Sequence, residues 1–279
     1  MRKFGLVCLS VVFAGSAFSI QLYSNGENWG LSTIGLETGA TAGDGTGAPS
    51  GTQWSELAND GDNANAILGF GHQQSAGNRV ADDFAIGDAF WTVDSIDFFA
   101  YQTGGSATGS SMNFLSLQIW NGRPGDSGSS VVWGDTTTNV LSSSTFAGIY
   151  RTASSTHPAG LGIPPDTTRP VYRNSANLGG VVLTAGTYWL DWQTGGSLSS
   201  GPWAPALVAS GRGIAGFNGR QFLQAATSWQ DAEDPGNPPT AGAVVQDFPF
   251  IVYGSPVPEP ATMVALGLGA AALIRRRRK

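Results

Sequence analysis

Nine tryptophans are the side chains of this chain that point most directly to ligand binding. Aromatic rings bind sugars by stacking on the apolar face of the sugar ring. The candidates are Trp189, Trp192 and Trp203. Trp189 and Trp192 are three positions apart, so a regular strand would direct them to opposite faces. At least one of the two is therefore expected in the core, and carbohydrate binding, with an exopolysaccharide as the partner, remains an alternative function.

Two short acidic segments could supply oxygen ligands to calcium. Residues 59–65 contain Asp60 and Asp62. A calcium loop that began at Asp60 would need an oxygen ligand at its fifth position, where Ala64 stands. Residues 231–234 form the second acidic segment. Both segments fit solvated turns better, and two histidines and one cysteine are too few ligands for zinc. Calcium is thus a weak candidate, and no other cofactor is predicted.

Hydrolysis is the other chemistry that the residue types suggest. Gly-Asp-Ser-Gly-Ser at residues 125–129 resembles the nucleophile segment of chymotrypsin-like proteases, whose serine needs a histidine base oriented by a carboxylate. His72 lacks the context expected of that base, and His157 follows the serine, against the chain order of the family. A glycoside hydrolase needs two carboxylates, but glutamate is scarce in the chain. The sequence therefore predicts a non-catalytic protein, with a glycoside hydrolase as the less favoured alternative.

The amino-terminal segment has the three regions of a secretory signal peptide. Arg2 and Lys3 form a basic start, and residues 6–13 are an apolar run. Ala17 and Ser19 then place small residues at the −3 and −1 positions of a cleavage site. Residues 1–19 are therefore predicted to be a signal peptide that uses the Sec export machinery. Its removal takes away the single cysteine, so the mature protein is expected to contain no disulfide.

The carboxyl-terminal segment is an apolar stretch between a Pro-Glu-Pro sequence and a basic cluster. Residues 261–274 carry no charge and would form a helix of about 21 Å at ~1.5 Å per residue. A membrane span ordinarily needs about 20 residues, so this single apolar helix is a marginal span. Cations behind it would keep the end of the chain on the cytoplasmic side. These cations are Arg275, Arg276, Arg277, Arg278 and Lys279.

The carboxyl-terminal segment resembles a PEP-CTERM sorting tail, because it contains three parts in the same order: Pro258-Glu259-Pro260, an apolar stretch and a basic cluster. The resemblance implies an exported protein whose tail is recognised by an exosortase and processed near Pro258, Glu259 and Pro260. It also implies a final location on the cell envelope surface or in the extracellular matrix, after transient anchoring in the membrane. A permanent single-span anchor is the alternative interpretation of the same tail.

The charge of the body excludes one class of partner. Between the signal peptide and Pro258 the chain has seven arginines, no lysine and 19 acidic residues, a net charge near −12. A surface of this charge repels phosphate backbones, so nucleic-acid binding is not expected.

Residues 20–254 are predicted to form one all-β domain, a jelly-roll-like β-sandwich. The chain has 40 glycines and 15 prolines, and short alternating runs lie between turn clusters, as in sandwiches. Residues 35–52 lack bulky apolar side chains apart from Leu36, which predicts a glycine-rich loop. Residues 255–279 are predicted to be a proline-rich stalk followed by the sorting tail.

The clearest strand predictions come from period-two patterns. Residues 91–101 are predicted to place Trp91 and Val93 on the same face as Phe99 and Tyr101. Residues 114–120 are predicted to place Leu115, Leu117 and Ile119 on one face. The further strand predictions are residues 80–86, 131–134, 146–152, 181–184, 187–192, 206–209 and 248–253.

Two sequence patterns extend across the body. The body resembles a loose class of secreted bacterial β-sandwich modules found on surface proteins. Four segments carry this resemblance and occur in the same order: residues 80–84, 91–101, 119–122 and 246–254. This resemblance supports the fold more than any function. In addition, Gln-Thr-Gly-Gly-Ser occurs at residues 102–106 and again at 193–197, each time after an aromatic residue. The repetition predicts two strands that end in similar loops at one edge of the sandwich.

Overall fold

The computed structural model of the protein describes residues 19–87, 90–156, 164–257 and Arg276. In chain order, the strands are β1 (Ile20–Ser24), β2 (Gln53–Glu56), β3 (Phe70–Gly71), β4 (Arg79–Ile86), β5 (Phe90–Tyr101), β6 (Met112–Trp120), β7 (Val131–Asp135), β8 (Leu141–Thr152), β9 (Pro170–Leu183), β10 (Gly186–Gly196), β11 (Trp203–Ala204), β12 (Arg220–Leu223), β13 (Ser228–Asp231), β14 (Glu233–Asp234), β15 (Val244–Val245) and β16 (Phe250–Val257). A short helix, α1, covers Asn25–Asn28, and two 3-10 turns cover Gln74–Ala76 and Pro239–Ala241.

These strands form two large sheets and one small one. The first sheet has the order β1-β16-β5-β9-β8-β2, with β11 and β3 attached beside β5. The second sheet has the order β13-β12-β4-β10-β6-β7, and β14 pairs with β15. Strand β2 runs parallel to β8, whereas β5 and β10, at the centres of the two large sheets, pair antiparallel with both neighbours. The all-β prediction is confirmed.

One core joins the two large sheets. Phe98 and Phe250 from the first sheet meet Leu117, Leu190 and Trp192 from the second, and all five side chains are buried. The sheets therefore face each other as the layers of a sandwich, and their shared apolar interior provides the main driving force for folding.

The predicted faces of β5 are correct at its end but wrong at its start. Phe99 and Tyr101 belong to a second apolar cluster on the outer side of the sheet. Val93, however, lies in the sandwich core, and Trp91 packs against that core. The reason is a bulge at Asp94, where the register against β16 shifts between Val93 and Ser95. One extra residue reverses the alternation, which a strict period of two cannot anticipate.

Most of the other predicted strands are confirmed. Leu115, Leu117 and Ile119 of β6 share the core-facing side, as their spacing predicts. Residues 206–209 are an exception, since they form no strand. The backbone N–H groups of Leu207 and Val208 donate to the carbonyls of Asp247 and Gly35, which belong to two different segments. A ladder along one partner strand is therefore absent there.

The first and last strands of the body lie side by side. Strand β1 pairs antiparallel with β16, and Ile20 is opposite Gly254. The body consequently starts and ends at one end of the sandwich, called here the proximal pole. The stalk predicted from residue 255 begins later, because Pro256 and Val257 still pair with β5. No described residue of β1 pairs with Pro256, so its missing N–H breaks no hydrogen bond among the described β1–β16 pairs.

Several predictions concern residues outside the described ranges. They are the signal peptide up to residue 18 with Ala17, the Pro258-Glu259-Pro260 sequence, the apolar helix of residues 261–274, and the cations other than Arg276. Ser19 is described and exposed, and Arg276 is helical and exposed. In the described part of the chain, no helix has the length and apolar character that a membrane crossing requires.

The two Gln-Thr-Gly-Gly-Ser segments meet at the end of the sandwich opposite the proximal pole. The Gln102 amide donates to the carbonyl of Leu198 at 2.8 Å, and the Leu198 N–H donates back to Gln102 at 3.3 Å. The prediction of one common edge is therefore correct. The second copy is not all loop, because its first four residues belong to β10.

Residues 35–52 contain no named strand, but they are anchored to the body. Leu36 and Ala42 are buried, and isolated bridges join Gly39 to Trp54 and Thr41 to Gly47. The glycine-rich segment thus packs along the first sheet beside β2.

Candidate functional site

Two of the three tryptophans predicted as sugar platforms are buried. Trp192 is 1% exposed in the sandwich core, and Trp189 is 4% exposed. Trp189 lies on the outer face of the second sheet, as the three-residue spacing predicts, but the guanidinium of Arg123 lies 5.9 Å from its ring centroid. Neither indole offers a face to a sugar, so the interpretation of these two as platforms is wrong.

Trp203 is partly exposed. It forms β11, where its backbone pairs with Gly71 and Tyr101. Its indole Nε1 donates to Ser200 Oγ at 3.2 Å, and its ring packs against the apolar cluster that contains Tyr101. Trp203 is therefore a half-buried edge residue, and its role in sugar binding remains a prediction.

The acidic segments adopt turn-like arrangements. The Asp60 carboxylate accepts hydrogen bonds from the backbone N–H groups of Asp62 and Asn63, as in a capped turn. Asp234 is buried and accepts from Ala66, Ile67 and Gly236, whereas Glu233 is exposed. In the ranges that the structure describes, no group of three or more His, Cys, Asp or Glu side chains could hold a metal ion.

The serine segment at residues 125–129 is not assembled with His72. Ser129 donates to the carbonyl of Asp126, which closes a local turn. His72 is fully buried, its Nε2 lies 2.8 Å from Thr194 Oγ1, and burial lowers its pKa to about 3. A fully buried imidazole cannot reach the exposed serine segment, and its low pKa also makes it a weak base. His157 lies outside the described residues.

A pocket at one side of the sandwich brings together residues that form no motif in the sequence. It encloses about 290 Å³ and is called here the Trp29 pocket. Its walls come from β1, α1, β4 and the segments before β12 and β16. The lining residues are Tyr23, Asn25, Asn28, Trp29, Asp83, Phe84, Ala85, Gly216, Asn218 and Asp247.

Local sequence explains how Trp29 reaches this pocket. Ser24 caps α1, because its Oγ accepts from the Glu27 N–H at 3.1 Å. Trp29 follows directly as the C-cap residue. Its Nε1 donates to Asp247 Oδ2 at 2.9 Å, and its ring meets the Phe217 ring edge-on at 4.9 Å. Gly216 has φ +100, and a Cβ there would come within 2.8 Å of the Trp29 ring, so only glycine fits.

Three carboxylates lie at or behind the pocket wall. Asp82 accepts from Asn25 Nδ2 and from the N–H groups of Phe248 and Asp83. Asp247 accepts from the N–H groups of Asn218 and Gly219 and from Trp29. Both oxygens of each of these two groups are thus occupied, and the two carboxylates tie α1 and the residue after it to β4 and to the segments before β12 and β16.

Asp83 differs from the other two carboxylates. Its Oδ1 accepts from Asn218 Nδ2 at 2.8 Å, whereas its Oδ2 accepts no hydrogen bond from any described residue. Asn218 Oδ1 is buried and likewise has no partner within the described ranges. The pocket region therefore contains two acceptor oxygens without a donor in the described ranges, and the buried one, Asn218 Oδ1, is costly to leave unpaired.

Burial raises the pKa of the carboxyl groups at and behind the pocket wall. Desolvation raises the pKa of Asp247 to about 6 and raises the pKa of Asp82 well above its usual range, with further repulsion from Asp247. Burial also raises the pKa of Asp83. On the outer face of the second sheet, burial raises the pKa of Asp191 to about 7, although Arg79 opposes the shift.

These shifts predict a protein that is more stable in mild acid. The folded state binds protons at Asp82, Asp191 and Asp247 more tightly than the unfolded chain, whose aspartates titrate near ~3.9. The free energy of unfolding should therefore fall as the pH rises from about 4 to about 7. Thermal melts at pH 5.0 and 7.5 measure this, and Asp247→Asn should flatten the slope. A melting temperature that is equal or lower at pH 5.0 would contradict the assignment.

A larger cleft of about 390 Å³ lies at another edge of the sandwich. It is lined by Ile67, Phe70, Gln221, Gln230, Asp231 and Glu233. Two of its polar groups are engaged, because Asp231 pairs with Arg123 and the Gln221 amide donates to the Gly71 carbonyl at 2.9 Å. Its one aromatic residue, Phe70, is buried, whereas Trp29 is partly exposed, so the smaller Trp29 pocket is the stronger candidate for stacking a ligand.

The sequence contained a partial signal for the Trp29 pocket. Residues 80–84 and 246–254 resemble segments of secreted sandwich modules, and they supply Asp82, Asp83 and Asp247. These segments indicate the fold. Whether their three carboxylates come together depends on distant contacts such as the hydrogen bond from the Phe248 N–H to Asp82, two residues that are 166 positions apart. Trp29 and Asn218 carry no motif in the sequence.

The body is an all-β sandwich with an aromatic, oxygen-lined pocket, and its last strand leads directly into the carboxyl-terminal tail. Residues 256–279 match the family model of the PEP-CTERM protein-sorting motif. The chain is therefore a PEP-CTERM protein and an exosortase substrate, exported to the cell envelope or surface. Comparison with curated proteins and with solved structures finds no match.

Proposed function

We propose that this protein is a non-catalytic, jelly-roll-like module with an adhesive role on the cell surface or in the extracellular matrix. Sec exports it, the apolar tail holds it in the membrane, and exosortase processing near Glu259 releases the body to the envelope. The adhesive partner is an exopolysaccharide.

The pairing of β1 with β16 is the observation that carries this proposal. Ile20 lies opposite Gly254, so the start of the body and the tail are at the same proximal pole. A body attached through its tail therefore extends the opposite end of the sandwich, where the two Gln-Thr-Gly-Gly-Ser segments meet, into the surroundings. This geometry suits presentation of a binding surface.

The hydrogen bonds of the carboxylates support a non-catalytic role. Glycoside hydrolysis needs one carboxyl group that donates a proton and a second that acts as base or nucleophile. Asp82 and Asp247 have both oxygens engaged with N–H donors. Only Asp83 offers a free oxygen in this pocket, which is one carboxylate fewer than the reaction requires.

Intact-mass analysis of protein extracted from the surface of the native host tests the processing step. The mature form is expected to lack the five terminal cations, because the apolar stretch behind Pro260 is too short for a durable anchor. Retention of Lys279 in most molecules would favour the permanent anchor instead.

Affinity electrophoresis through the exopolysaccharide of the host tests the adhesive step. The processed protein should migrate more slowly than in a gel without polysaccharide, and heat-denatured protein provides the control. Unchanged mobility would leave a purely structural role as the better proposal.

A further inference from the structure

We infer that the Trp29 pocket binds one uncharged sugar unit of a polysaccharide, stacked on the Trp29 indole and hydrogen-bonded through its hydroxyl groups to Asp83. This inference rests on the proposed adhesive function and names its site and ligand class. The pocket has the size, the unused hydrogen-bonding capacity and the charge that suit such a ligand.

The size of the pocket fits a single sugar ring. Ligand pockets for larger organic molecules typically enclose about 300–1,000 Å³, and the Trp29 pocket is at the low end with about 290 Å³. Its aromatic wall is fixed in place, because the Trp29 Nε1 donates to Asp247 and the Trp29 ring packs against Phe217 in a T-shaped arrangement. A ring fixed before the ligand arrives loses little conformational entropy on binding, which favours affinity.

The unused polar atoms of the pocket are mainly acceptors. Asp83 Oδ2 has no donor among the described residues, and the buried Asn218 Oδ1 has none either. Sugar hydroxyls are donors, so they complement the accessible Asp83 Oδ2, whereas Asn218 Oδ1 is enclosed and cannot be reached from the pocket. A hydrogen bond from a hydroxyl to a charged carboxylate is stronger than one to a neutral acceptor. Asp83 is therefore expected to dominate the polar part of the affinity.

The charge of the pocket selects against acidic sugars. The lining contains Asp83 and Asp247 and no lysine or arginine. The body as a whole is strongly acidic. A uronate or a phosphorylated sugar would bring a further negative charge toward these carboxylates, and this repulsion is weakly screened in a partly buried site. Uncharged hexoses avoid this cost.

Isothermal titration of the processed, full-length mature protein tests the inference. The probes are glucose, galactose, mannose and glucuronate, each added to the protein dialysed against a chelator. At least one uncharged hexose is expected to bind, and glucuronate is expected to bind at least tenfold more weakly than glucose. Asp83→Asn keeps the shape of the side chain and the acceptor for Asn218, and should weaken hexose binding about tenfold or more.

A second variant separates binding from folding. Ala85 is exposed at the pocket wall, so Ala85→Phe should fill the pocket, abolish hexose binding and leave the melting temperature within about 2 °C of wild type. Glu233→Gln, at an exposed position of the larger cleft, is the matched control and should bind hexoses normally. Normal hexose binding by Ala85→Phe, or loss of binding in Glu233→Gln alone, would overturn the assignment.

The remaining outcomes are also decisive. The inference is wrong if none of the hexoses binds. If calcium then binds, and Asp83→Asn abolishes this binding, the pocket is a cation site instead. A further outcome is that the host exopolysaccharide still retards the Ala85→Phe protein as strongly as wild type. That result would mean that the polysaccharide binds outside the Trp29 pocket, and the adhesive proposal would stand without this site. The two proposals can therefore fail separately.

Discussion

Alanine in place of Trp192 is expected to lower the free energy of unfolding by about 3–5 kcal/mol, the range for removal of a buried aromatic side chain. The indole is 1% exposed and lies between the two sheets. Its ring centroid is 4.6 Å from that of Phe98 and 5.9 Å from that of Phe248. Thermal or urea unfolding of the purified body measures the loss, which corresponds to a melting temperature lower by roughly 6–20 °C in a domain of this size.

Two companion variants sharpen this result. Trp192→Phe should cost clearly less, because the indole N–H has no acceptor in the described part of the chain and phenylalanine retains much of the packing. Trp203→Ala should also cost less, since Trp203 is partly exposed at the edge of the first sheet. A Trp192→Ala protein with the stability of wild type would mean that the two sheets do not close around this ring.

Replacement of Glu259 by alanine is expected to reduce release of the processed protein at least tenfold while export continues. Glu259 is the only charged residue between Asp247 and Arg275, so it is the one ionic feature that an enzyme can recognise near the cleavage region. Export depends on the opposite end of the chain and should not change. Fractionation and quantitative immunoblotting of membrane, surface and medium measure the distribution.

Glu259→Gln tests whether the charge itself is recognised, because it keeps the size of the side chain. Serine in place of Arg275, Arg276, Arg277 and Arg278 serves as a contrast, since it should weaken cytoplasmic retention of the tail without altering the Pro-Glu-Pro sequence. Equal surface release of the Glu259→Ala protein and wild type would remove this residue from the sorting mechanism.

The sequence alone determined the features that depend on neighbouring residues. The sorting tail is recognisable because its three parts are contiguous, and the family match covers residues 256–279. The alternation in β6 predicted its buried face, because a regular strand directs side chains to its two faces in turn. The three-residue spacing of Trp189 and Trp192 likewise predicted opposite faces of β10.

Burial of an outward-facing residue was decided only by tertiary structure. Trp189 lies on the outer face of its sheet but is covered, and Arg123, which follows β6, contributes to that cover. Similarly, the bulge at Asp94 exists because β5 must pair with β16, more than 150 positions away, and this pairing moves Val93 into the core. Sequence spacing cannot encode which distant segment covers a surface.

The Trp29 pocket depends most strongly on the fold. Its residues come from the start, the middle and the end of the body, and the hydrogen bonds from Trp29 to Asp247 and from Asn218 to Asp83 span 218 and 135 positions. Each residue is ordinary in its local context, so no motif announces the site. The two sheets bring these side chains together when they close around the core, because closure fixes β1 and α1 against β4 and the segment before β16.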